Sequence, residues 1–122
     1  MLLADDHSVV RQGLARLLEA EPDIEVIALV ASDGEMAVEL ARQARPDVII
    51  MDVNMRGKDG IDATRRIIQE NRTIHVIGLS MQQDPAVAGD MLRAGAATFL
   101  TKDCQAADLL AAIRKCMEPQ PG

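Results

Sequence analysis

Five residues carry the chemistry that this chain can offer: Asp5, Asp6, Asp52, Ser80 and Lys102. Each closes a short, largely apolar run: LLA before Asp5 and Asp6, VIIM before Asp52, VIGL before Ser80 and ATFLT before Lys102. Taken singly, an acid after a strand is a turn residue, a lysine is a surface cation and a serine belongs to a loop. Their repetition at successive run ends is what changes the reading. Three carboxylates brought together repel, and their pKa values rise unless a cation compensates. A hard divalent ion bound by oxygen answers that repulsion, and few protein ligands completed by water suit Mg²⁺ better than Ca²⁺. Beside such an ion a phosphoryl group is stabilised. Asp52 can be its nucleophile, the Lys102 ammonium can neutralise its oxygens and the Ser80 hydroxyl can hydrogen-bond one of them. The product is an aspartyl phosphate.

For the five residues to meet, the runs that carry them must be parallel strands ending on one edge. The central stretch, residues 46–60 (PDVIIMDVNMRGKDG), opens with four consecutive apolar residues, Val48, Ile49, Ile50 and Met51, the pattern of a strand buried on both faces. A polar loop with Gly57 and Gly60 follows. Residues 1–4, 24–31, 75–79 and 97–101 read as four more strands. Between them lie stretches of helical period: Val10, Leu14, Leu17 and Leu18, with Ser8 as N-cap and Pro22 beyond; Ala37, Leu40, Ala41 and Ala44, closed by Pro46; and Ile61, Thr64, Ile67 and Ile68, ending near Asn71. A fourth helix has Asp84 as N-cap, Pro85 at its first position and Gly95 at C′. Leu109, Leu110, Ile113 and Met117 stripe a fifth. Five strand–helix alternations predict an α/β fold, a doubly wound parallel sheet with helices on both faces. Ligands bind such sheets outside the carboxyl ends of the strands.

At 122 residues and 48% apolar the chain suits one domain with one core. A net charge of −6 argues against direct contact with nucleic acid, which needs a positive field. No apolar stretch reaches the roughly 20 residues that span a bilayer and no signal peptide is evident, so a soluble cytoplasmic protein with no membrane contact is expected. Cys104 and Cys116, twelve residues apart in one apparent helix, are about 18 Å apart at about 1.5 Å per residue and are expected as free thiols. His7 and His75 have no ligand spacing, Met91 and Met117 fit a core, and Arg65, Arg66 and Glu70 fit a solvated helix face.

The segments LLADDH, DVIIMDVNM with DG beyond it, GLS and ATFLTKD, in this order and covering essentially the whole chain, resemble the receiver domains of two-component response regulators. LLADDHSVVRQGL, GLSMQQD and FLTKD are similar to the NarL/FixJ subfamily, whose receivers usually precede a LuxR-type helix-turn-helix domain. The resemblance implies a flavodoxin-like (βα)5 fold with strand order 2-1-3-4-5. It implies Asp52 as phosphoacceptor and a Mg²⁺ site made by Asp6, Asp52 and the backbone carbonyl of Asn54, with Asp5 helping directly or through water. Ser80 becomes the switch hydroxyl, Phe99 the switch aromatic and Lys102 the phosphate-pairing lysine. Residues 1–117 form the receiver, and residues 118–122 (EPQPG) begin a linker to an effector domain. The implied partners are a sensor histidine kinase, that effector domain, which would control transcription, and a second copy of the chain on phosphorylation.

Some residues depart from the family pattern. Arg56 stands where a proline is common, and Asp103 follows Lys102 where many receivers have proline. Phe99 lacks the hydroxyl of a tyrosine. Without the resemblance it reads equally as plain core. Three other functions are weighed against the pattern. Phosphohydrolases of the haloacid-dehalogenase type resemble D-x-D at the nucleophile, but the second acid is here Asn54, which cannot shuttle a proton. A binding module that ignores phosphate would have no need to cluster three carboxylates, and a flavodoxin-type cofactor protein would need aromatics that a chain with no Trp, no Tyr and one Phe does not offer.

Met81, the residue after Ser80, is bulky enough to crowd a phosphoryl group and slow its hydrolysis. Met81→Ala is therefore expected to shorten the lifetime of the phosphorylated protein, measured as loss of label after the phosphodonor is removed. An unchanged lifetime would rule out the crowding role.

Overall fold

A computed structural model of the chain describes residues 2–4, 8–21, 34–53, 59–80, 85–101 and 106–117. The strand expected over residues 24–31 lies outside them, as does Cys104. The described elements are β1 (Leu2–Ala4), α1 (Ser8–Glu19), α2 (Gly34–Ala44), β2 (Val48–Asp52), α3 (Asp59–Glu70), β3 (His75–Ser80), α4 (Pro85–Ala94), β4 (Thr98–Thr101) and α5 (Ala106–Met117). The four described strands pair in the order β1-β2-β3-β4, all parallel. This is the 1-3-4-5 portion of the expected order, and the fold is the doubly wound α/β, flavodoxin-like one.

Alternation along the strands sorts the core into two layers. Ile49, Met51 and Val53 of the β2 segment and Val76 of β3 join Ala37, Val38 and Ala41 of α2, Ile61, Ala63 and Ile67 of α3, and Met91 and Ala94 of α4. Val48 and Ile50, with Ile77 and Leu79, join Leu18 of α1 and Leu109 and Ile113 of α5. The sheet thus carries α2, α3 and α4 on one face, α1 and α5 on the other. Because both faces are covered, every residue of β2 is buried, which is why its sequence is apolar without a break up to Asp52. No helix among the described residues is long and apolar enough to cross a membrane.

Helix ends are set by local chemistry. Gly95 takes φ 113° after α4, and its N–H donates to the Leu92 carbonyl (3.1 Å) while the Ala96 N–H donates to that of Met91 (3.0 Å). These two bonds form the Schellman closure that a glycine at C′ permits. After α3, the Asn71 side-chain oxygen accepts from the Thr73 N–H (3.1 Å), turning the chain into β3. The solvated face expected for Arg65, Arg66 and Glu70 is in part an inter-helix seam. Arg42 of α2 donates from Nε to both Glu70 carboxylate oxygens (3.1 and 3.0 Å), and Arg66 pairs with Glu35 of α2. Hydrogen bonds from Arg42 hold the Glu70 carboxyl below its ordinary pKa. Among the described residues Arg65 pairs locally, with Asp62. Met91 is fully buried, as expected of core. Cys116 is a free, half-buried thiol whose pKa burial pushes up.

At the end of α2 the next residue but one is Pro46, which disfavours the right-handed helical region for the residue before it. Arg45 escapes into the left-handed region at φ 47°, a conformation that costs a side-chain-bearing residue about 1–2 kcal/mol. Arg45→Gly is expected to raise the unfolding free energy by about 1 kcal/mol. The measurement is a higher urea midpoint at unchanged slope.

Candidate functional site

The site grows from the C-terminal end of β2. Asp52 is paired with Leu79 of β3, and the ladder runs one residue further, the Val53 N–H donating to the Leu79 carbonyl at 2.9 Å. This bond fixes the strand end. Asp52 is only 1% exposed, so its carboxylate is held where a charge is costly unless positive charge or hydrogen bonds compensate. Ser80 lies one register step further along, on the neighbouring strand, 4% exposed, opposite Thr101 of β4. Phe99, half-buried, is opposite Gly78. By alternation Ser80, Gly78, Phe99 and Thr101 share the face covered by α4.

Of the residues singled out in the sequence, the structure brings Asp52 and Ser80 to one edge of adjacent strands and sets Phe99 beside them on β4. Asp5, Asp6, Asn54 and Lys102 lie outside the described residues, as do Arg56 and Met81. Among the described residues no cluster of three potential metal ligands occurs, and the described carboxylate at this edge is Asp52. Its chemistry suits a hard cation, since a buried carboxylate beside strand ends supplies oxygen donors and needs neutralising.

Two features here were not read from the sequence. A Cβ on Gly60, in the first turn of α3, would lie 2.7 Å from the Asp52 carbonyl oxygen and 2.9 Å from Val53 Cα, so the start of α3 rests directly on the backbone at the end of β2. Thr64, wholly buried, donates its hydroxyl to the Gly60 carbonyl at 2.7 Å and so ties down that first turn. The available signals were the Gly60 of the DG pair and a threonine on an apolar helix stripe. Neither says what it touches until α3 and β2 are packed.

Residues 1–114 match the response regulator receiver domain family. The chain belongs to that family. It is 46% identical over 121 residues to the transcriptional regulatory protein LiaR of Bacillus subtilis, an alignment covering 99% of this chain and 57% of the relative. It is 40% identical to the transcriptional regulatory protein DegU of Brevibacillus brevis, covering 93% and 48%. Among solved structures, a LuxR-family two-component response regulator from Aurantimonas sp. SI85-9A1 superposes with a TM-score of 0.86 at 38% identity, covering 93% of this chain and 81% of that one. The receiver domain of the putative regulator NarL from Mycobacterium tuberculosis gives 0.88 at 29%, covering 98% and 95%. The NarL/FixJ likeness read in the sequence is thus supported by both comparisons, and the chain is a receiver domain of two-component signalling. It spans about half the length of the regulators it matches.

In this receiver, the close approach of Gly60 leaves no room for a side chain against backbone atoms. Gly60→Ala is expected to cost about 1–3 kcal/mol and to slow phosphoryl acceptance, because relieving the overlap moves the strand end that carries Asp52. Denaturant unfolding and the labelling rate, measured on the same preparation, test both effects.

Proposed function

We propose that the protein is a phosphorylation-dependent signalling switch that takes a phosphoryl group on Asp52 from a sensor histidine kinase and relays its presence to an output domain that controls transcription. The observation that carries this reading is the buried carboxylate of Asp52 at the edge of a fully covered parallel strand, with Ser80 one register step on in the adjacent strand. A carboxylate oxygen of Asp52 attacks phosphorus and the phosphorus–nitrogen bond of the phosphohistidine breaks. The bonding pair leaves with the imidazole, which takes up a proton. Asp6, Asp52 and the Asn54 carbonyl are the proposed ligands of Mg²⁺, with Asp5 helping directly or through water; the ion supplies charge neutralisation when bound. Lys102 pairs with a phosphoryl oxygen, and the Ser80 hydroxyl hydrogen-bonds another. Phe99 follows Ser80, altering the face of α4, β4 and α5 that meets a partner.

The receiver occupies residues 1–117 in this reading, and residues 118–122 lead to a helix-turn-helix effector domain. The effector touches DNA while this acidic chain does not, and phosphorylation favours a homodimer. The setting is the cytoplasm, where the kinase domain and DNA are both reached. Asn54, in place of a second acid, gives no proton shuttle for fast turnover, so the chain acts in its own phosphorylation and slow dephosphorylation only.

A small acyl phosphate is expected to label the protein in the presence of Mg²⁺, with one acid-stable, base-labile phosphoryl group per chain. Asp52→Asn removes the nucleophile and should lower labelling to background, as should chelation of the metal. Labelling that persists in Asp52→Asn assigns the acceptor elsewhere.

A further inference from the structure

Gly78 interrupts β3 with a residue that has no side chain, and the space a side chain would need is already taken from two directions. A Cβ built there would lie 2.9 Å from Met91 Cε of α4 and 2.9 Å from Phe99 Cδ2 of β4, with Phe99 Cε2 at 3.5 Å. The methyl group and the ring thus border the same hollow and are at most twice that distance apart. Met91 is wholly buried, and the sulfur that bears this methyl group lies 3.8 Å from Thr64 Oγ1. That hydroxyl is the one bonded to the Gly60 carbonyl, and Gly60 is the residue that rests on the backbone of Asp52. Met91 therefore reaches the Asp52 strand end through α3 on one side and, on the other, the hollow over Gly78, two residues before Ser80, in which Phe99 also sits.

We propose that Met91 is a positioning residue of the switch: its methyl group and the Phe99 ring share the hollow over Gly78, so neither α4 nor Phe99 rearranges alone when Asp52 carries a phosphoryl group. The proposal rests on the reading of Asp52 as acceptor and Phe99 as the aromatic that responds. Its physical basis is close packing. A void left by one occupant costs the contacts of its lining, and a second ring or methyl cannot enter without overlap. Methionine is the side chain best able to follow such a change, since it is unbranched and has three rotatable bonds. When the ring shifts, Met91 takes up the volume and draws on α4, in which the next residue, Leu92, is 51% exposed to whatever the output face meets.

The first measurement needs no altered packing. In protein labelled with ¹³C at the methionine methyls, the Met91 resonance, assigned by its loss in Met91→Leu, is expected to carry a ring-current shift that disappears in Phe99→Leu. It should move on addition of Mg²⁺ with beryllofluoride, a stable mimic of the phosphoryl group. The second measurement fills the hollow. Gly78→Ala should change the half-saturating beryllofluoride concentration by about 5-fold, and adding Met91→Ala to the same chain should return it to within about twofold of the unsubstituted protein. Should Gly78→Ala fail to fold, the methyl resonance decides alone. A protein that binds beryllofluoride while its Met91 methyl stays fixed, or a Gly78→Ala chain that Met91→Ala does not restore, overturns the proposal and leaves the Asp52 reading standing. Absence of both beryllofluoride binding and Asp52 labelling in the unsubstituted protein overturns that reading, and the proposal with it.

Discussion

The constraint on which this structure turns is the burial of an acid at the end of an apolar strand. β2 is buried at every position, including Asp52. An isolated carboxylate would be expelled from such a place or would take up a proton, so its retention requires compensation delivered at the strand end itself. The rest of the fold follows from serving that point. Parallel neighbours on either side direct their own carboxyl ends to the same edge, helices on both faces keep water from the strand, and Gly60 lets α3 begin in contact with the backbone of Asp52.

The two faces of the sheet take different parts. Alternation places Asp52 in line with Val48 and Ile50, toward α1 and α5, whereas Ser80, Gly78 and Phe99 belong to the face under α4. An event at the acid reaches the α4 face only around the strand ends or through the elements packed beneath them. Gly60, Thr64 and Met91 supply such a connection in hard contacts, from the Asp52 carbonyl across α3 to α4. Spatial continuity does not by itself establish energetic coupling. What it provides is a linkage with two occupants competing for one hollow, which is a physical element able to take two arrangements.

Much of this was legible in the sequence because it is local. The run VIIM followed by Asp52 gave a doubly covered strand and its end, and Gly95 gave a helix terminus whose hydrogen bonds the structure supplies in full. The strand order of the described sheet agrees with what the family resemblance implied. The parts that were not legible are those in which the partner lies far along the chain. Arg66 looked like solvated charge, and only the packing of α2 against α3 sets it beside Glu35. Gly78 lies inside a run that reads as strand, without a signal of its own. A glycine there marks the close approach of something else, but nothing in the neighbouring sequence says that the visitors are Phe99 and Met91. Arg45 is intermediate: Pro46 announced the end of the helix, though not the left-handed turn by which the chain leaves it.

These non-local contacts also divide the helices of the α2–α3–α4 face by how firmly they are held. α2 and α3 are joined by two ion pairs in addition to their shared apolar layer, Arg42 with Glu70 and Arg66 with Glu35. The ion pair described for α4, Arg93 with Asp90, runs within the helix and ties it to nothing else. Among the described residues α4 meets the body mainly through apolar side chains, Met91, Ala94 and Val87, with the weak bond from the Thr64 hydroxyl to the Met91 sulfur beside them. Apolar contact tolerates sliding and repacking at fixed volume, while a bidentate ion pair is lost when its geometry changes. A perturbation that begins at the Asp52 edge and spreads through this face reaches α4 chiefly through side-chain packing. The methionine at its centre, whose sulfur lies by Thr64 of α3 and whose methyl group shares the hollow over Gly78 with the Phe99 ring, is the side chain through which that helix would feel it.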